Sequence, residues 1–462
     1  MAAIIPHSPF LLLLFSLLAI FFVIPIQSQV PANQTFKFIN QGEFEDGNVE
    51  YHSTYRVIQT NAYTFYRYPF RLCFYNTTPD SYVFAIRAGV PRDLGLMRWV
   101  WDANRNHPVH EKATLSFGRD GNLVLGEADG TVVWQTNTAN KGVTGIKLLG
   151  NGNLVLHDKN GRFIWQSFDY PTDTLLLGQS VKTNGRNKLV SRKSDADGFD
   201  GPYSLVLDHK GFAMYLNNSG KLLVYGGWLG SDYGSIVTFN LDFEIGFDDY
   251  IYYELVLTIN QDVNAPPPPP QPQSHRHLLQ VRPIGNGHQI NLNKLNYNAT
   301  FSLLRLGSDG SLKAYSYYDK VSSNTWEESF SFFSSYFVRE CALPSKCGSY
   351  GYCSGGMCVG CPTPKGLLGW SKGCAPPKLG QCKSGAKVDY YKIGSVEHFL
   401  SPYLDGGDGP MKVGECRAKC DKDCKCLGFF YREDSSKCLL APVLGTLIKD
   451  VNTSVGYIKY SK

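Results

Sequence analysis

The serine and histidine residues of this chain do not form a recognisable catalytic arrangement. Residues 369–373 read GWSKG, which fits the G-x-S-x-G motif of a nucleophilic serine. That motif needs a buried strand before the serine and a helix after it, whereas here it lies in a cysteine-rich segment without such a strand pattern. The histidines are scattered, none falls in an H-E-x-x-H motif, and the carboxylates do not pair as in a glycosidase. The sequence therefore predicts a protein that is not an enzyme and uses no cofactor.

Cysteine is the residue type whose chemistry the sequence indicates most clearly. Of the 13 cysteines, twelve lie between Cys341 and Cys438. An even number in a short segment predicts a disulfide framework formed in an oxidising compartment. Cys358 and Cys361 have the spacing of half a zinc site, but no matching histidine or second pair completes it. No metal site is predicted.

Cys73 is the odd cysteine, and the sequence leaves two interpretations of it open. On a predicted strand, Arg71 and Cys73 share one face while Leu72 and Phe74 share the other. In the first interpretation Cys73 is a buried and inert thiol. In the second it forms a bridge to another copy of the chain, because a leftover cysteine in a secreted protein suggests pairing between chains. The second interpretation implies a homodimer.

The first residues have the pattern of a secretory signal. Residues 10–24 are apolar except for Ser16, and Ser28 follows at a position suited to cleavage. The apolar run is short for a membrane span, so residues 1–28 are predicted to be a removed signal peptide, and no later stretch predicts a membrane anchor. Sequons that predict glycosylated surface positions occur at Asn33, Asn76, Asn217, Asn298 and Asn452.

Length and composition indicate several β-rich domains. The 462 residues exceed an ordinary single core. Glycine is frequent, at 46 residues, aromatic residues make up 13% and charged residues 18%, which favours tight turns and packed sheets over a disordered or coiled-coil chain. The net charge of +5 is small, and no run of lysine or arginine stands out. A nucleic-acid or membrane-surface partner is therefore not predicted.

An internal repeat dominates the N-terminal half. Residues 120–138 align without a gap on residues 151–169, so that Asn122 maps onto Asn153 and Trp134 onto Trp165. Alternating apolar residues and Asp-Gly or Asn-Gly pairs predict β-hairpins. Trp101 recurs at a similar spacing before them. Three such units predict three small sheets that bring their indoles to a shared core around a pseudo-threefold axis, which is a β-prism.

The sequence pattern and composition of the chain change twice after this repeat. Residues 189–337 have a weaker form of the same hairpin rhythm, interrupted by a proline run that predicts an exposed loop. From Glu340 the chain is cysteine-rich and has too few apolar residues for a core of its own. Near the C-terminus a short helix is predicted, on which Cys416 and Cys420 share one face, and residues 426–434 and 455–460 are strand-like.

Several segments resemble a known family. The stretches VWDANRNHPV, GNLVL and WQSFDYPTDTLLLGQ are similar to the plant bulb-type domain of mannose-binding lectins, S-locus glycoproteins and lectin receptor kinases. With FRLCFYNTTPDSYVFAIRAG near its start and no kinase after the last module, the chain most resembles the epidermis-specific secreted glycoproteins of plant cell walls. The resemblance implies a mostly β fold, with tandem β-prism domains followed by a disulfide-rich EGF-like module and a small α+β PAN/apple domain.

The resemblance also implies domain bounds. They are a signal peptide at 1–28, a bulb-type lectin domain at 29–185, a degenerate second lectin-like domain at 186–337 with a Pro-rich loop at 265–272, an EGF-like module at 338–376 and a PAN/apple domain at 377–462. It further implies six disulfides, which are Cys341 with Cys353, Cys347 with Cys358, Cys361 with Cys374, Cys382 with Cys424, Cys416 with Cys438 and Cys420 with Cys426.

In this family a sugar pocket is written Q-x-D-x-N-x-V-x-Y along one strand, with alternate residues facing one side. The first copy keeps the Asp, Asn and Val, but Gly118 and Gly126 replace the Gln and Tyr. The second keeps the Asn and Val, and the third, weaker candidate keeps only Asp309 and Tyr315. The implied carbohydrate-binding residues of the first two copies are Asp120, Asn122, Val124, Asn151, Asn153, Val155 and His157. Asn122 is expected on the strand surface, where its truncation would affect binding more than stability.

The function implied is that of a secreted, non-catalytic lectin-like glycoprotein of the cell wall or apoplast. Each ordinary hydrogen bond lost from a pocket costs about 0.5–1.5 kcal/mol, so the two replaced residues of the first copy predict weak or residual binding of mannose-type glycans or glycoproteins. The alternative is a protein-interaction module, a soluble relative of receptor ectodomains that acts in extracellular signalling without binding sugar.

Overall fold

The computed structural model describes residues 29–91, 95–209, 211–229, 234–245, 251–260, 281–284, 287–295, 297–321, 325–334, 340–380, 388–449 and 454–461. The predicted signal peptide, the Pro-rich loop 265–272, Cys382 and Asn452 lie outside these ranges. Within them the chain forms eight β-sheets and one α-helix, Val413–Lys422. The predicted mostly β fold is confirmed. Short 3₁₀ turns occur at Ala32–Gln34, Glu50–His52, Ser167–Asp169, Glu340–Ala342 and Ser401–Tyr403.

The first three sheets form the first unit. In spatial order, sheet 1 contains Phe36–Ile39, Thr114–Phe117, Leu123–Gly126 and Val132–Gln135. Sheet 2 contains Gly145–Leu148, Leu154–His157 and Phe163–Gln166. Sheet 3 contains Thr54–Val57, Phe70–Asn76, Tyr82–Ala88 and Arg98–Asp102, with Tyr66–Arg67 beside Phe70–Asn76. Their paired strands are antiparallel, as short hairpin connections require.

Each of these sheets contributes one tryptophan to a shared contact. The ring centroids of Trp101 and Trp134 are 6.1 Å apart, those of Trp101 and Trp165 are 6.1 Å apart, and those of Trp134 and Trp165 are 5.8 Å apart. All three pairs are edge-to-face, an arrangement that aromatic quadrupoles favour. The predicted β-prism around three indoles is confirmed.

Three further sheets form the second unit. Sheet 4 contains Thr174–Leu176, Phe301–Leu306, Leu312–Tyr317 and Trp326–Ser331. Sheet 5 contains Ser180–Lys182, Ile236–Ile245, Ile251–Asn260, Gly287–Leu295 and Val281–Ile284. Sheet 6 contains Lys188–Arg192, Asp200–Asp208, Gly211–Asn218 and Lys221–Leu229.

The predicted boundary at residue 185 is too late for this second unit. Thr174–Leu176 pairs with Phe301–Leu306, and Ser180–Lys182 pairs with Ile236–Ile245. Three consecutive short strands between residues 174 and 192 thus each begin a different sheet of the second unit. Their side chains Leu175, Val181 and Leu189 are fully buried in the core of the second unit. These three strands therefore belong to the second unit, and the first unit ends before them.

A buried charge cluster joins the two units. Glu50 in the first unit is 7% exposed, and its two carboxylate oxygens accept hydrogen bonds from Arg305 Nη1 of sheet 4 at 2.7 and 2.8 Å. The carboxylate also pairs with Arg98 and accepts the backbone N–H of Trp99 at 3.1 Å. A buried charge needs such partners to offset its desolvation, so these contacts hold the two units in one arrangement.

Two sheets form the C-terminal part. Sheet 7 contains Gly366–Leu368, Met357–Thr363, Tyr350–Ser354, Gly445–Lys449 and Val396–His398, and sheet 8 contains Val388–Gly394, Ser454–Ser461, Gly428–Arg432 and Lys437–Ala441. Because Tyr350–Ser354 pairs in parallel with Gly445–Lys449, the segments expected to be an EGF-like module and a PAN/apple domain share one sheet. The strand-like segments predicted at 426–434 and 455–460 are confirmed.

The disulfides fix this C-terminal part. The structure joins Cys341 to Cys353, Cys347 to Cys358, Cys361 to Cys374, Cys416 to Cys438 and Cys420 to Cys426, which are five of the pairs implied by the family resemblance. Cys424 is also disulfide-bonded, but its expected partner is not among the described residues. On the helix, Cys416 and Cys420 are both buried on one face, as predicted. Cys358 and Cys361 are engaged in separate disulfides, so neither thiolate is available to a metal.

Candidate carbohydrate-binding faces

The polar residues of the predicted pockets begin in a turn rather than on a strand. The N–H of Gly121 donates to Gly118 O at 3.0 Å, and the N–H of Gly118 donates to Asn122 O at 3.2 Å. Gly121 has a φ of +80°, which L-residues seldom adopt. The strand begins only at Leu123. The expectation that all five motif positions lie on one strand with alternate residues on one side is therefore wrong.

Asn122 is held inside the fold. It is 7% exposed, and its Nδ2 donates to Gln135 Oε1 at 2.7 Å. Its Oδ1 accepts the hydroxyl of Thr136 at 3.0 Å and the backbone N–H of Thr138 at 3.1 Å. Both ends of the amide are thus satisfied internally. The expectation that Asn122 lies on the strand surface is therefore wrong, and its role as a sugar ligand stays a prediction.

Asn153 repeats these contacts 31 positions later. It is 3% exposed, and its Nδ2 donates to Gln166 Oε1 at 2.8 Å. Its Oδ1 accepts the hydroxyl of Ser167 and the backbone N–H of Phe168, both at 3.2 Å. The two asparagines therefore close their hairpins in the same way. The repeated Trp-Gln pair, Trp134-Gln135 and Trp165-Gln166, is the sequence signal that identifies their partners.

The outward face of the first repeat remains open. Val124 is half-buried and lies directly between Ser116 and Gln135 in sheet 1, and residues directly opposite on neighbouring strands share a face. Asp120 is exposed at one end of this face, and its Oδ1 accepts the backbone N–H of Asn122 at 3.1 Å. The face thus presents a carboxylate, a carboxamide, a hydroxyl and a small apolar surface.

The second repeat is more closed. Val155 is fully buried, so it offers no surface to a ligand. His157 stands where the family has tyrosine, but its Nδ1 lies 3.0 Å from Asp158 O, and a Cβ placed on Gly145 would meet its Nε2 at 2.8 Å. The imidazole therefore packs over Gly145. Asn151 is exposed, and its Oδ1 accepts the backbone N–H of Asn153 at 3.2 Å.

The third candidate is also committed to the fold. Asp309 Oδ1 accepts the backbone N–H of Ser311 at 2.9 Å and the Ser311 hydroxyl at 2.6 Å. Arg98 lies over the ring of Tyr315, with 4.2 Å between its guanidinium carbon and the ring centroid. Asp309 and Tyr315 thus have separate structural contacts. The first repeat is the one of the three with its outward face open.

The predicted modification positions differ in exposure. Asn33, Asn217 and Asn298 are exposed. Asn76 is 9% exposed at the end of its strand, where its side-chain oxygen accepts a hydrogen bond from the hydroxyl of Thr54. The expectation that Asn76 lies on the surface is therefore wrong.

The odd cysteine, Cys73, is fully buried, which matches its interpretation as a buried and inert thiol.

The amino-acid sequence of this chain is similar to one known domain family and to several known plant proteins. Residues 98–194 match the family described as D-mannose binding lectin. The chain is 60% identical to EP1-like glycoprotein 2 of Arabidopsis thaliana over 98% of its own length and 100% of that protein. It is 44% identical to epidermis-specific secreted glycoprotein EP1 of Daucus carota, with 79% and 92% of the two chains covered. It is 29% identical to S-locus-specific glycoprotein BS29-1 of Brassica oleracea var. alboglabra, with 72% of each covered. In the described part of this chain, no helix has the length and apolarity to cross a membrane.

Proposed function

This chain belongs to the family of EP1-like glycoproteins, and on that premise we propose that it is a secreted, non-catalytic glycoprotein of the cell wall or apoplast that binds mannose-type glycans weakly. The binding surface is the outward face of the first repeat, formed by Asp120, Ser116, Val124 and Gln135. The observation that supports this proposal most directly is the difference between the repeats, since Val124 is half-buried whereas Val155 is fully buried.

The chemistry of this face suits a neutral sugar. Asp120 supplies carboxylate oxygens that accept hydroxyl protons, and Gln135 has an Nε2 group that can donate. Val124 can contact the apolar carbons of a pyranose ring. The Gln and Tyr of the family pattern are replaced by glycine at both ends of the motif. Because each missing hydrogen bond weakens binding by about 0.5–1.5 kcal/mol, the affinity for one mannose unit is low.

A glycan-binding experiment with paired variants tests this proposal. The natural protein is expected to give a signal on mannose-type oligosaccharides that free mannose competes away. Asp120→Asn keeps an oxygen for the turn but removes the charge, and it is expected to weaken that signal. Asn151→Asp makes the reverse change at the equivalent exposed position of the second repeat and is expected to leave it unchanged. No mannose-dependent signal from folded natural protein would refute the proposal.

A further inference from the structure

A cleft between the first and second units borders the proposed mannose-binding face at Gln135 but is otherwise lined by different residues. Its volume is about 740 Å³, within the range of sites for small molecules. One wall comes from the three tryptophans of the first unit, and the other comes from residues 185–190 at the start of the second. A smaller cavity of about 330 Å³ adjoins it and shares Tyr170, Gly185 and Arg186. Together they form an elongated depression, which we call the inter-unit cleft.

The aromatic wall of the inter-unit cleft is held rigidly. Tyr170 is 39% exposed, and its ring stacks on Trp165 with 5.5 Å between centroids. Trp101 Nε1 donates to the backbone oxygen of Tyr170 at 2.9 Å. Trp134, which also lines the cleft, is half-buried. Rigid aromatic surface can cover the apolar face of a ligand at little cost in conformational entropy.

The carboxylates that line the cleft, Asp102 and Asp200, already have partners, as does Asp173, which binds the cleft residue Arg105. Arg105 binds Asp102 through two hydrogen bonds of 2.9 and 3.0 Å and binds Asp173 at 3.1 Å. Asp200 accepts Asn106 Nδ2 at 2.8 Å. Burial by itself would raise the pKa of Asp173. The guanidinium groups of Arg105, Arg305 and Arg192 outweigh this effect and hold that pKa below its usual value. Asp102 and Asp173 therefore lie against fixed positive charge, and Asp200 lies 3.9 Å from the Arg105 guanidinium as well.

The cations at the rim of the cleft have no such partners. Lys182, Arg186 and Lys188 are exposed, and among the described residues none of the three forms an ion pair. The Arg186 guanidinium carbon lies 5.1 Å from the ring centroid of Tyr170. The rim therefore carries positive charge beside aromatic surface. A cleft lined by one sign of charge attracts ligands of the opposite sign.

We propose that the inter-unit cleft binds an oligosaccharide that carries carboxylate groups, such as a chain of uronic acid units. The aromatic wall faces the apolar side of a pyranose ring, and Arg186 and Lys188 pair with the carboxylates. Arg186 offers a planar pair of N–H donors that matches a carboxylate. Asn137 and Asn187 line the cleft within reach of ring hydroxyls. The ligand class and the residues that pair with it differ from those of the mannose proposal.

Binding of oligogalacturonate by the full-length protein tests this proposal. The natural protein is expected to bind an oligogalacturonate of about ten units, with quenching of tryptophan fluorescence from the aromatic wall and with weaker binding at higher salt. Arg186→Gln combined with Lys188→Gln is expected to weaken binding by about tenfold or more, since charge-assisted hydrogen bonds are lost. The same oligosaccharide with its carboxyl groups reduced to alcohols is expected not to bind measurably.

A matched double variant separates a site from general charge attraction. Lys141→Gln combined with Lys147→Gln removes the same charge from exposed positions of the first unit that do not line the cleft, and it is expected to leave binding nearly unchanged. Equal loss in both double variants would overturn the proposal, as would equal binding of the reduced oligosaccharide or no binding to the natural protein. Because Asp120 does not line the cleft, Asp120→Asn should leave oligogalacturonate binding unchanged, so the two proposals fail independently.

Discussion

The side chain of Asn122 donates a hydrogen bond of 2.7 Å to the side chain of Gln135. This bond ties the turn that precedes Leu123–Gly126 to the end of Val132–Gln135, so it closes the hairpin across its two strands. Asn153 and Gln166 repeat it at 2.8 Å. Because the hairpins themselves use these asparagines, the Asn of the family motif persists here without requiring a sugar. The proposal of a sugar ligand therefore depends on the open outward face of the first repeat and not on Asn122.

We expect Asn122→Ala to lower the free energy of unfolding by about 2 kcal/mol or more. The substitution leaves the buried hydroxyl of Thr136 and the N–H of Thr138 without their acceptor, and unsatisfied buried groups are costly. Denaturant titration of the full-length protein, followed by the tryptophan fluorescence of the first unit, measures the change in the free energy of unfolding. Asn160→Ala, at an exposed position, is the control and should change stability little. Equal free energies of unfolding for Asn122→Ala and Asn160→Ala would contradict the structural role of Asn122.

Local pattern was sufficient to predict the parts of the fold whose residues repeat. The spacing of Trp101, Trp134 and Trp165 predicts the first β-prism because each indole is on the penultimate residue of an equivalent strand. The four-residue spacing of Cys416 and Cys420 predicted one helical face for the same reason. These inferences depend on the periodicity of single elements, which the sequence records directly.

Long-range pairing and turns explain what the sequence did not reveal. The strand Thr174–Leu176 pairs with a partner more than a hundred positions away, so no local pattern marks it as the start of the second unit. The alternating pattern places Asn122 on a strand surface because alternation alone does not distinguish a strand from the turn before it. The inter-unit cleft brings together Trp101, Trp134 and Arg186, and their proximity exists only in the folded chain.

We expect Glu50→Gln to be strongly destabilising. Glu50 is the acceptor for Arg305, Arg98 and the backbone of Trp99, and its neutralisation leaves two guanidinium groups without their buried counter-charge. Removal of one partner from a buried ion pair costs about 3–5 kcal/mol. Glu340→Gln removes the exposed partner of Lys346 and is expected to cost about 0–1 kcal/mol. Similar melting temperatures for the two variants would show that the charge cluster does not hold the units together.

We expect Cys73 to be unreactive in the native protein. Burial raises the pKa of its thiol to about 12, so the reactive thiolate is scarce at neutral pH and the sulfur is inaccessible as well. Iodoacetamide without reductant should label Cys73 only after denaturation, as read by the mass of its peptide. Non-reducing electrophoresis should show no dimer that depends on Cys73. Fast labelling of the native protein, or a dimer band abolished by Cys73→Ser, would contradict this expectation.

His398 is held in its neutral form within the C-terminal part. It is fully buried beside the rings of Phe399 and Phe430. Its Nδ1 accepts the backbone N–H of Leu400 at 3.2 Å, and its Nε2 lies 2.8 Å from Val443 O. This pattern requires a proton on Nε2 and none on Nδ1. Burial lowers the pKa of the imidazole to about 4, because a second proton would face the N–H of Leu400 in an apolar setting.

We therefore expect the C-terminal part to lose stability as the pH falls from about 6.5 to about 4. In this window the unfolded chain binds a proton at His398 and the folded chain does not, so the free energy of unfolding decreases with each step toward acid. The full effect is about 3 kcal/mol, from the difference between the two pKa values. Hydrogen exchange of peptides that cover residues 396–449, followed by mass spectrometry at several pH values, measures it after correction for the intrinsic exchange rate. His398→Gln retains a side-chain donor but does not titrate, so its stability should depend less on pH. An identical acid dependence in this variant would assign the effect to other groups.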